Sequence, residues 1–154
     1  MGTVRWWPEL GVVALLVLAG ASGSNGADQD AVPPTVVISG EVRFKKNAPI
    51  FLRLLELDQA KQERVAREQV IELTPEDAAR RTVRYEFAGL PPGRYAVKCF
   101  QDTNGNGKID IGLFGPKEPW ATYRLAKPKL RAPRFEEMAF DVTLDVTTAD
   151  LTLR

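Results

Sequence analysis

The chain contains no histidine and only one cysteine in 154 residues. Without histidine it cannot build a Ser-His-Asp or Cys-His catalytic group, nor a His-ligated zinc or haem site. With Cys99 alone it cannot close an intrachain disulfide, a CxxC redox pair or a thiolate metal cluster. It also lacks charge of one sign. Twenty-one basic residues face twenty acidic ones, so the net charge of +1 gives no general attraction toward nucleic acid. What the chain does have is 44% hydrophobic residues, eleven prolines and twelve glycines. That is the composition of a single globular domain built from short strands and many turns.

The first residues belong to a different regime. Met1–Leu10 carries Arg5, Val12–Ala21 is apolar and interrupted only by Gly20, and Ser22-Gly23-Ser24-Asn25-Gly26 follows. This is the order of a secretory leader, with Ala19-Gly20-Ala21 as the small-x-small cleavage pattern, so residues 1–21 are read as a signal peptide. The apolar run is shorter than the roughly 20 residues a bilayer span needs, so no permanent membrane span is expected. The alternative is an uncleaved leader acting as an N-terminal anchor. Residue 22 is serine, not a cysteine that would take a lipid. Residues 22–34 read as a flexible lead-in and 35–154 as the folded domain, delivered to the periplasm or secreted.

Beyond Pro34 the period is two. Val36, Ile38, Gly40, Val42 and Phe44 alternate with Val37, Ser39, Glu41 and Arg43; Val83, Tyr85 and Phe87 with Thr82, Arg84 and Glu86; and Tyr95, Val97 and Cys99 with Ala96, Lys98 and Phe100. Met138, Phe140, Val142, Leu144 and Val146 read as one further strand, and Leu151 and Leu153 as the last. One apolar and one wet face per strand predicts an all-β, single antiparallel sandwich of about seven strands, Ig-like or transthyretin-like with Greek-key connections. Ile50–Leu57 is a denser apolar run, expected to be buried on both faces. Leu57–Glu72 is polar and is read as a long connection or a hairpin with a wet face. Thr74-Pro75-Glu76-Asp77 predicts a short helical turn over 75–81, with Thr74 as N-cap and proline in the first turn. Tyr95 is read as a core tyrosine whose hydroxyl reaches the adjacent turn, and Cys99 as a buried, inert thiol.

The densest chemistry lies in Asp102-Thr103-Asn104-Gly105-Asn106-Gly107-Lys108-Ile109-Asp110. Oxygen-bearing side chains stand at positions 1, 3, 5 and 9 and glycine at 6, the spacing with which a loop wraps a hard cation such as calcium. The predicted ligands are Asp102, Asn104, Asn106, the main-chain carbonyl of Lys108, and Asp110. The position that would carry a bidentate glutamate is Leu113, so Glu118 or a carboxylate from another strand would have to complete the shell. Two loop carboxylates place the expected affinity in the weak range of about 10⁻⁴–10⁻³ M. The plainer alternative is a hairpin loop whose Asn-Gly pairs supply positive φ and whose aspartates cap backbone amides.

This loop, with Phe114-Gly115-Pro116-Lys117-Glu118-Pro119-Trp120 after it and Pro133-x-Phe135-Glu136-x-x-x-Phe140-x-Val142 further on, resembles a family of exported bacterial proteins, domain of unknown function 2141. The resemblance runs from about Ile38 to Leu153 and implies an exported β-sandwich module without an assigned activity. After Trp120 the chain departs from the family's usual Gly-Phe-Ser-Asn, reading Ala121-Thr122-Tyr123-Arg124.

Two charge blocks follow the loop. Lys117, Arg124, Lys127, Lys129, Arg131 and Arg134 face Glu118 alone, whereas Glu136–Asp150 is purely acidic. Glu118, Trp120 and Tyr123 among the basic residues make a candidate binding surface for an anionic envelope polymer; a proline-rich loop beside an acidic strand face is the plainer reading. No nucleophile motif is present, so a non-enzymatic binding or accessory module is expected, monomeric, with an envelope or extracellular protein or polymer as partner and calcium as structural cofactor. The rival from another class is a hydrolase of such polymers using Asp102, Asp110 or Glu118 as acid and base.

Overall fold

Alternating apolar residues force the strands to share one interior. In the computed structural model, which describes residues 34–113, 115–124, 131–143 and 146–154, two sheets enclose it. The elements are β1 (Val36–Arg43), β2 (Ile50–Leu57), β3 (Glu63–Ile71), α1 (Pro75–Arg80), β4 (Thr82–Leu90), β5 (Gly93–Gln101), β6 (Ile111–Gly112), β7 (Gly115–Pro116), β8 (Trp120–Thr122), α2 (Phe135–Met138), β9 (Phe140–Val142), β10 (Val146–Thr148) and β11 (Leu151–Thr152). The leader and lead-in expected over 1–34 lie outside the described residues except for Pro34. No helix among the described residues is long and apolar enough to cross a membrane.

In the first sheet β1 is central, with β4 antiparallel on one side and β10 and β11 end to end on the other. In the second the order is β3-β2-β5, and β8 and β9 share the outer side of β5. Counting each end-to-end pair as one place, the sandwich has seven ladder positions, three in one sheet and four in the other, in agreement with the expected number. The core is contributed by both: Ile38, Val42, Val83, Tyr85 and Leu151 from the first sheet, and Ile50, Leu52, Leu54, Tyr95, Val97 and Cys99 from the second.

Three sequence expectations need correction. First, the sandwich is not wholly antiparallel: β10 and β11 run parallel to β1. Second, Met138–Val146 is not one strand. Met138 ends a helical turn, β9 pairs with β5 in the second sheet, and β10 pairs with β1 in the first. A strand that changes sheets keeps its two-residue alternation only by accident, and Val146 accordingly lies 63% exposed instead of inward. Third, Ile50–Leu57 is buried on both faces only locally. Ile50, Leu52 and Leu54 point into the core, while a register shift after Leu54 accompanies Leu55 entering a second small cluster with Ala96, Phe135, Met138 and Ala139.

Other expectations stand. Leu57–Glu72 is largely the second strand of a hairpin, turned over Asp58–Gln62 with Lys61 in the left-handed region at φ 58°. The Thr74 hydroxyl accepts the Asp77 N–H at 3.1 Å and the Asp77 carboxylate accepts the Thr74 N–H at 3.0 Å, a reciprocal cap for α1. Tyr95 donates its hydroxyl to the Pro91 carbonyl at 2.7 Å. Cys99 is buried, and that burial pushes its thiol up to about 12.

Candidate metal centre

The Asp/Asn loop leaves the sandwich at the end of β5, and two buried residues fix its base. Gln101 follows the inward phase of Tyr95, Val97 and Cys99, yet it is polar and fully buried. Its side-chain amide donates to the carbonyls of Lys46 and, at 3.0 Å, Ala48, holding the β1–β2 connection. Its backbone N–H reaches the Pro119 carbonyl, and the Asp102 N–H reaches that of Pro49, each at 2.9 Å. Sequence reading passed over Gln101, although a polar residue at an apolar phase is a visible signal.

Asp102 is 4% exposed, and its carboxylate gathers the loop around itself. One oxygen accepts the N–H groups of Gly105 at 2.8 Å and Asn106 at 3.2 Å; the other accepts that of Gly107 at 2.7 Å. Burial works to raise the pKa of this carboxyl, but the N–H groups of Gly107, Gly105, Asn106 and Asn104 outweigh it and hold it below the usual carboxylate range. Gly105 and Gly107 provide the curvature with φ of 75° and 74°. Further out, the side-chain amides of Asn104 and Asn106 converge on one oxygen of Asp110, at 2.6 and 3.1 Å. Lys108 sits at the exposed tip and donates its N–H to the Asn106 side-chain oxygen at 3.0 Å.

The short β6–β7 ladder then turns the chain back. Lys117 donates its N–H to the Asp110 carbonyl, and Asp110 donates its own to a carboxylate oxygen of Glu118, both at 2.9 Å. The structure thus brings Glu118 onto the loop. Trp120 and Tyr123 are not brought together. Phe51, Phe100 and Trp120 stand side by side across β2, β5 and β8, out of phase with the core residues Leu52, Cys99 and Ala121, and so lie on the outer face. Tyr123 instead packs edge-on against Phe140 at the core margin, with ring centres 4.8 Å apart. Of the basic block, Lys127 and Lys129 lie outside the described residues. Arg131 is committed to Glu137 through two contacts of 2.8 and 2.6 Å.

Among the described residues no three His, Cys, Asp or Glu side chains already surround a common point. The side chains gathered along the loop are the carboxylates of Asp102, Asp110 and Glu118 and the carboxamides of Asn104 and Asn106, whose oxygens suit a hard cation and not a soft one.

Fold and loop together define a class: a β-sandwich domain with an oxygen-rich loop closing one end. The chain belongs to the family described as an uncharacterized protein conserved in bacteria, domain of unknown function 2141, whose model matches residues 44–150. Comparison with curated proteins and with solved structures gave no match.

Proposed function

We propose that this domain is an exported, non-catalytic binding or accessory module whose Asp/Asn loop holds calcium as a structural ion. The supporting observation is the convergence of Asn104 and Asn106 on a single oxygen of Asp110, above the Asp102 carboxylate that folds the loop. For a cation beside Asp110 both carboxamides turn their oxygens inward, giving up the N–H groups of Asn106 and Lys108 that those oxygens accept at 3.2 and 3.0 Å. Asp102 uses its oxygens to organise backbone N–H groups, the work of a ligand that shapes a loop. The leader over 1–21 supports delivery to the periplasm or beyond, where calcium in the expected 10⁻⁴–10⁻³ M range of affinity is useful. The partner in this reading is an envelope or extracellular protein or polymer.

The test is a calcium titration by calorimetry with melting curves in calcium and in chelator. Binding in the low-millimolar range or tighter, a rise in Tm with calcium, and loss of both in Asp102→Ala are expected. No heat and no Tm change in the parent protein would overturn the reading.

A further inference from the structure

Glu118 is 4% exposed, and its two carboxylate oxygens have different surroundings. One accepts the Asp110 N–H; the other is buried and has no hydrogen-bond partner among the described residues. No basic side chain among the described residues pairs with it either. Among the described residues the ion pairs are Arg53–Glu68, Arg64–Glu56, Arg80–Glu76, Arg84–Glu41, Arg94–Asp141, Lys98–Glu63 and Arg131–Glu137, and none involves Asp102, Asp110 or Glu118. Buried carboxylates are ordinarily paired or ligating, because an uncompensated one is strongly disfavoured away from water. Glu118 is thus an acceptor with an unused oxygen, held against the loop residue at position 9.

Resting on the calcium reading above, we propose that Glu118 is the closing ligand of the loop, supplied from the returning chain before β8 in place of the glutamate that a self-contained loop carries at position 12. That position is Leu113, 92% exposed and directed to solvent. The β6–β7 ladder performs the substitution: the six residues between Asp110 and Lys117 bring the chain back with the Lys117 N–H on the Asp110 carbonyl, and the next residue is Glu118. Because the carboxylates do not surround one point beforehand, the ion draws Glu118 and Asp110 together as it enters. Glu118 is followed by Pro119, whose carbonyl holds the Gln101 N–H, and then by Trp120. Closure therefore ties the end of β5 to the start of β8 and is felt at the indole.

The experiment uses the full chain, with calcium alone as probe, and compares the parent with Glu118→Gln and with Glu86→Gln, an exposed carboxylate on β4. Calorimetry is expected to show Glu118→Gln weakened on the order of tenfold or more, since ligand charge sets affinity in such sites, with Glu86→Gln unchanged. Glutamine retains an oxygen for the Asp110 N–H while removing the uncompensated charge. Glu118→Gln should therefore melt higher than the parent in chelator, yet gain less from calcium, a reversal that a misfolded variant cannot produce. Equal calcium affinity in parent and Glu118→Gln overturns the role of Glu118 and leaves the loop site standing. Absence of binding in the parent overturns both.

Discussion

Gly40 on β1 lies against the backbone of Ala149 so closely that a Cβ at Gly40 would fall 2.4 Å from the Ala149 carbonyl oxygen. The same oxygen accepts the buried Tyr85 hydroxyl, and the Ala149 N–H bonds the Ser39 carbonyl at 2.7 Å. Glu41 meanwhile gives its N–H to the Asp150 side chain at 2.9 Å, filling the interval between β10 and β11. Gly40→Ala must push backbone from backbone at the centre of the first sheet. A loss of about 2–3 kcal/mol is expected, readable in urea denaturation.

Tyr85→Phe tests the same junction from the side chain. It keeps the ring, whose edge meets Phe87 at a centroid distance of 5.7 Å, and removes only the donor to Ala149. Leaving a buried carbonyl short of a partner is expected to cost about 1–3 kcal/mol, with an unchanged m-value in urea.

Gly107→Ala separates conformational strain from collision. A Cβ there meets nothing within 4 Å, so only its φ of 74° opposes the change. A stability loss of about 1–2 kcal/mol is expected from the left-handed backbone. Calcium affinity should fall with it, because the N–H that Asp102 gathers at 2.7 Å moves.

Glu137 provides a pH-dependent clip on α2. The Arg131 guanidinium, first, and the Arg134 backbone N–H, at 2.7 Å, hold its carboxyl down at about 2. The folded pKa lies below the ordinary carboxylate value, so the contribution is fully present above about pH 4.5 and is lost as pH falls toward 2. An NMR titration should find the Glu137 carboxyl near 2 in the parent and moved up toward its ordinary value in Arg131→Ala.

Cys99 should be silent to thiol reagents. Its thiol is buried and raised to about 12, so at pH 8 a disulfide reagent is expected to label it only after denaturant is added.

The features legible in the sequence are those that rest on local chemistry. Thr74, Pro75 and Asp77 announced their helix because a cap is decided within four residues, and Tyr95 announced its bond to Pro91 for the same reason. The alternation of Val36–Phe44 and of Tyr95–Cys99 marked faces that are indeed inward. Partnership is a different matter. Nothing in Phe140–Val146 tells which sheet each half joins, because either sheet asks for the same alternation. The four residues of α2, capped without a serine, threonine or aspartate, carry too little pattern to stand out from the strand reading. At the loop, the spacing of Asp102, Asn104, Asn106 and Asp110 was visible, but the approach of Glu118 depends on a two-residue ladder that propensity does not predict.

The parallel seam between β1 and its C-terminal partners has a temporal side. Glu41 and Asp150 are 109 positions apart, and β1 has a partner on one flank only until that distant segment arrives. Such remote closure makes for slow folding, on the order of milliseconds to seconds. A chain of this design stays open while most of it is already made, and β1 is flanked on both sides only once β10 and β11 have arrived.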